Sequence, residues 1–258
     1  MKSMEYSGVF NFQPVAFQAG RSKLDQSSKI AIDSNGNVWV TAAFEEINGN
    51  LYFDSYLAKY SSNGDLVQAY EIGKVGTNDE IIGIATDSND NAWVVGGFAG
   101  RLDLDGDGRD DLTSIPSVGF LAKYDSEGDL VNAFKITEKS THHTDLATDS
   151  QGNVWITGYF EDQRDYYGLD NLNNPLNSLH NPDPNLFRYA GGLDLDLDGT
   201  LDMTHHDEDD SYVAKFSEEG DLLFAKNIGG SGNDYGEAWE GIKVPLLGGH
   251  KGSPPGRG

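Results

Sequence analysis

Cysteine is absent from the chain, and that removes several chemistries at once. Without it there is no disulfide frame, thiolate zinc site, iron–sulfur cluster or cysteine nucleophile. Basic residues are scarce: 18 Lys and Arg stand against 42 Asp and Glu, for a formal net charge of -24. Such a chain cannot neutralise phosphates through a basic face, so nucleic acid is excluded as a partner. No apolar run approaches the roughly 18–20 residues that a membrane helix needs, so membrane insertion is not expected. The first twenty residues, MKSMEYSGVFNFQPVAFQAG, carry no apolar block of signal-peptide length. Catalytic signatures are missing too: there is no GxSxG, Walker loop or Rossmann glycine pattern, and no catalytic residue is assigned. Carboxylate pairs for glycoside chemistry cannot be singled out among so many acids.

What the chain does contain is 32 glycines, 11% aromatic residues and 37% hydrophobic residues overall. That is too apolar for a disordered acidic tail, and it points to an all-β, turn-rich protein. Internal repetition is the strongest signal. DSNGNVWVTAAF (from Asp33), DSNDNAWVVGGF (from Asp87) and DSQGNVWITGYF (from Asp149) are one element written three times. Each is followed by a partner: SYLAKYSSNGDLVQAYEIG, GFLAKYDSEGDLVNAFKIT and SYVAKFSEEGDLLFAKNIG.

Each repeat reads as four antiparallel strands, a to d, at about 29–33, 38–44, 55–60 and 66–72 in the first copy. Gly36 and Gly152 supply positive φ in the a–b turn, and Asp90, which tolerates that region, replaces them in the second repeat. A four-stranded unit repeated head to tail predicts the blade of a β-propeller. Trp39, Trp93 and Trp155 share one slot and are expected to pack between blades. Lys59, Lys123 and Lys215 share another and are read as structural counter-charges. The D-S-x-G-N-V-W-[VI]-T-G-x-F element and its A-K-[YF] partner resemble the bacterial SBBP-type β-propeller repeat, over about residues 29 to 229. The resemblance implies a repeat type and little about activity. The turn is also similar to those of bacterial sensor propellers, and it differs by one residue from the sialidase Asp-box spacing.

The expected segments run as follows. Residues 1–28 hold a partial strand of a preceding blade, and 29–76 form blade 1. Residues 77–140 form blade 2, with an Asp-rich loop at 103–111. Residues 141–230 form blade 3, with a long insertion at 161–209. The first strand of a further blade lies at 231–244, and 245–258 is a disordered tail. Three blades with orphan strands predict an incomplete propeller, hence a fragment of a longer protein.

The chemistry lies in two loops. DLDGDGRDD (from Asp103) and DLDLDGTLD (from Asp194) both fit D-x-D-x-D-G-x-x-D. Calcium takes six to eight hard oxygens, and alternate carboxylates can converge on one ion. The candidate ligands are Asp103, Asp105, Asp107, the Arg109 carbonyl and Asp111, and in the second loop Asp194, Asp196, Asp198, the Thr200 carbonyl and Asp202. Ser114 and His205 stand where an EF-hand would place its bidentate Glu, so the loops are not EF-hands. They resemble the calcium loops of integrin-type propellers and dockerins. The bland alternative is a solvated acidic turn. Structural calcium sites made only of oxygen ligands lead to the expectation of an extracellular or cell-surface protein.

In the long insertion, Tyr166, Tyr167, Phe187 and Tyr189 are candidates for stacking on a carbohydrate or a protein partner. The six histidines show no metal spacing and are read as surface residues. The function expected from sequence is a calcium-stabilised, non-catalytic binding or scaffold module. The alternatives are a glycan hydrolase or lyase on a propeller fold, or the sensor domain of a larger receptor.

Overall fold

The computed structural model describes residues 25–45, 53–73, 79–137, 141–161, 192–204 and 209–228. They form fourteen β-strands and no helix. The alternation of Val, Ile and aromatic residues with polar ones, broken by glycine turns, produces hairpins throughout. In the first repeat, β1 (Asp25–Ile32), β2 (Val38–Glu45), β3 (Phe53–Tyr60) and β4 (Leu66–Ile72) form one antiparallel sheet in chain order. The second sheet is β5 (Glu80–Thr86), β6 (Ala92–Leu102), β7 (Leu112–Tyr124) and β8 (Leu130–Ile136). The third is β9 (Thr141–Thr148), β10 (Val154–Glu161), β13 (Asp209–Phe216) and β14 (Leu222–Ile228). Between β10 and β13 lies a two-residue ribbon, β11 (Gly192–Leu193) with β12 (Met203–Thr204). Among the described residues no sheet closes on itself.

The a–b turns owe their shape to their first residue. Asp33 Oδ1 accepts from the backbone N–H of Asn35 (3.0 Å) and Asn37 (2.8 Å), and Asp87 and Asp149 do the same in their own turns. Asp90 takes positive φ (64°), as Gly36 (77°) and Gly152 (84°) do. An aspartate there also serves the neighbouring sheet: its carboxylate accepts from Ser34 N at 2.7 Å and Ser34 Oγ at 3.0 Å.

The sheets stack in chain order through two cores. Trp39, Leu57, Tyr70 and Ile72 of the first sheet share a core with Ile84, Val94, Phe98, Phe120, Ala122 and Tyr124 of the second. Trp93, Val95, Leu121 and Ile136 on the opposite face of the second sheet share another with Val154, Ile156, Phe160, Tyr212, Ala214 and Phe216 of the third. Each repeated lysine lies over the tryptophan of its own sheet, at 5.1, 5.3 and 5.1 Å from the ring centroid. Lys59 Nζ also donates to Ser126 O, and Lys123 Nζ to Glu218, each in the c–d turn of the next sheet.

One expectation needs correction. His143 is a core residue, 4% exposed, and not a surface one. Its Nδ1 lies 2.8 Å from the buried Tyr212 hydroxyl. The ring fits because residue 119 is glycine: a Cβ there would fall 2.2 Å from His143 Nε2. Residues 1–24, the further strand at 231–244, the tail at 245–258 and the link between β2 and β3 at 46–52 lie outside the described residues.

Candidate metal centres

Each Asp loop closes a hairpin. The 103–111 loop follows the Leu102↔Leu112 pair, and the 194–202 loop follows Leu193↔Met203. The two are wired alike. Asp111 N donates to Leu102 O at 2.8 Å, and Asp202 N to Leu193 O at 2.9 Å. Leu104 N donates to Asp111 Oδ2 at 2.6 Å, and Leu195 N to Asp202 Oδ2 at 2.7 Å. Gly108 N donates to Asp103 Oδ2 at 2.9 Å, and Gly199 N to Asp194 Oδ2 at 2.8 Å. Backbone N–H groups thus orient the first and last carboxylates of each loop, and Asp103 accepts on its second oxygen as well, from Gly106 N at 2.8 Å.

In each loop three carboxylates converge. Oxygens of Asp103, Asp105 and Asp111 lie within 4.8 Å of one another, and so do those of Asp194, Asp196 and Asp202. These two groups can hold a metal ion. Asp107 and Asp198 stand outside these groups; Asp107 Oδ1 accepts from Arg109 N and Asp198 Oδ1 from Thr200 N, both at 2.7 Å, as Asp105 and Asp196 accept from the N–H two residues on. The Arg109 side chain is directed to solvent, with Nη1 3.8 Å from Asp107 Oδ2.

The fit to a cation is clearest in the second loop. Asp194 is 1% exposed, and its Oδ1 is buried with no hydrogen-bond partner among the described residues. An unpaired carboxylate oxygen in a dry site costs several kcal/mol unless a proton or a cation meets it. Burial, and then the neighbouring Asp196 and Asp198, push the Asp194 carboxyl above its ordinary range against hydrogen bonds from the backbone N–H groups of Gly199 and Leu197. Partial desolvation, and then adjacent carboxylates, raise Asp111 and Asp202 as well, although both residues are exposed. A hard divalent cation with oxygen preference would relieve all of these.

Sequence reasoning overlooked the leucines between the ligands. Leu104 and Leu195 occupy the second loop position and are buried, 0% and 1% exposed. Leu102, Leu104 and Leu112 belong to the core between the first two sheets, and Leu193, Leu195 and Met203 to the core between the last two. The signal was visible in the shared Asp-Leu-Asp of both loops. Tyr166, Tyr167, Phe187, Tyr189, His180, His205, His206 and His250 lie outside the described residues. Among the described residues no helix is long and apolar enough to cross a membrane. No protein-family model and no curated protein matches the chain.

Proposed function

We propose that the chain is a calcium-stabilised β-propeller-type repeat protein that acts outside the cell as a non-catalytic binding or scaffold surface. The observation that carries the metal reading is the buried Asp194 Oδ1, unpartnered among the described residues, in a loop where carboxylate oxygens of Asp194, Asp196 and Asp202 converge. Calcium would be structural there: the carboxylates would supply part of its shell, and the Thr200 carbonyl and water the rest. The first loop would hold a second ion in the same way. The propeller reading is supported by three four-stranded sheets in chain order, stacked through the tryptophan face of one and the opposite face of the next. It agrees with the resemblance to SBBP-type repeats. The extracellular setting is inferred from the ligand chemistry: loops with only oxygen ligands suit a compartment where calcium is abundant.

A thermal melt in EGTA and across micromolar to millimolar calcium tests the reading, with magnesium as comparator. At a hundredfold excess over the dissociation constant each site adds about 2.7 kcal/mol, roughly 5–10 °C for a chain of this size. A calcium-selective rise of that order is expected. An unchanged melt would leave the loops as solvated turns.

A further inference from the structure

We propose that a divalent cation in the 194–202 loop clasps the third sheet to the second, so that metal binding controls the seam between two sheets. The proposal rests on the metal reading of that loop and adds what the ion does.

Three observations meet at the seam. Leu195 lies between two of the carboxylates, Asp194 and Asp196, yet its side chain is buried in the core that contains Trp93, Val95, Leu121 and Ile136 of the second sheet. Its carbonyl accepts from Thr137 N, the residue just after β8, at 3.1 Å. Thr137 is fully buried, has φ +60° and leaves its Oγ1 without a hydrogen-bond partner among the described residues. A β-branched residue in the left-handed region is strained and persists only where its surroundings hold it. The residue at the same place after β4 is Gly73, φ +125°, which carries no such strain.

Loop and seam are therefore one mechanical unit. Without a cation, the three crowded carboxylates of Asp194, Asp196 and Asp202 relax by moving apart. That motion draws Leu193 and Leu195 out of the core and lets Thr137 leave its strained conformation. With a cation the carboxylates converge, the Leu195 carbonyl is fixed over Thr137 N, and the seam closes. By linkage, a seam that is closed binds the ion more tightly.

The test is hydrogen exchange read by mass spectrometry on the full chain, in EGTA and in millimolar calcium, with terbium luminescence as an independent measure of binding. In the wild type, calcium should slow exchange across residues 130–148 by about tenfold or more, beyond the loop itself. Asp194→Asn should lose that protection while residues 38–60 keep theirs. Leu195→Ala, which keeps every carboxylate, read beside Asp111→Asn so that terbium reports the 194–202 loop alone, should still bind terbium, with affinity reduced about tenfold, and should lose the protection at 130–148. Terbium binding with protection confined to residues 192–204 would overturn the clasp and leave the metal site standing. No binding of either ion would overturn both.

Discussion

The three copies of the Lys–Trp–Asp group differ in how much water reaches them, and that sets what each is worth. Lys59 Nζ lies 3.8 Å from Asp33 Oδ2, with both side chains almost fully buried. Removing the cation leaves a buried carboxylate compensated by its turn N–H groups and the Asn37 side-chain amide, with no charge opposite it. We expect Lys59→Met to destabilise the fold by about 3 kcal/mol, read by urea unfolding. Lys215 and Asp149 meet at 2.9 Å but are partly open to solvent, 18% and 25% exposed. There the same substitution should cost about 1 kcal/mol. The second pair has a pH signature. Burial pushes the Asp149 carboxyl up, but hydrogen bonds from Lys215 and Asn153 outweigh it and hold the group well below its ordinary range. A carboxyl depressed in the folded state contributes stability that is present above the unfolded value of about 3.9 and is lost as pH falls through the folded value. Lys215→Met should therefore move the acid-unfolding midpoint up, while leaving the loss in stability constant between pH 6 and 8, as judged by circular dichroism. Leu197 is a third residue with a defined cost. It takes φ +61° at the loop position where Gly106 takes +73°. Leu197→Gly should stabilise the chain by about 1 kcal/mol in a thermal melt.

Among elements, the sheet faces decide the energetics. Trp39 and Trp93 are fully buried because another sheet lies over each. Trp155, by contrast, is half-buried and meets Phe224 of its own sheet, at 6.0 Å between centroids, with Phe224 itself exposed. Replacing Trp39 or Trp93 by Ala should cost about 3–5 kcal/mol, and replacing Trp155 about half as much, by the same urea measurement. The c–d turns are coupled to the seams as well. Gly220 has φ +90°, and a Cβ there would stand 2.4 Å from the Phe134 ring of the preceding sheet. Strands b, c and d could be read from the chain because alternation and glycine turns are local signals. β1 extends from Asp25, four residues before its expected start, because its added register is set by pairing with Phe44, Ala43 and Ala42 across the sheet. His143 was misread for a similar reason: its burial depends on Gly119 and Tyr212, residues 24 and 69 positions away, and nothing local reports them. The convergence of Asp103, Asp105 and Asp111 was legible as spacing. That Asp107 and Asp198 stand outside the converging groups was not, because the alternating spacing treats all the loop aspartates alike.

At the scale of the whole molecule, the two Asp loops belong to two different seams that share the second sheet. Leu102, Leu104 and Leu112 anchor the first loop in the core with the first sheet, and Leu193, Leu195 and Met203 anchor the second loop in the core with the second sheet. A net charge of -24 adds general repulsion that any salt will screen, so a calcium effect must be read at matched ionic strength. Under that control, Asp111→Asn should remove the calcium contribution of one loop and Asp202→Asn that of the other. Loops with no shared ligand and separate cores should give losses that add within about 0.5 kcal/mol in the double variant. The measurement is calcium-dependent stability by urea unfolding in the wild type, both single variants and the double variant. A double variant that no longer responds to calcium, with single losses that sum to the wild-type effect, means two independent ions, each stabilising its own seam. A single variant that abolishes the whole response would mean instead that the second sheet transmits one loop's occupancy to the other, because it is the only sheet both cores contain.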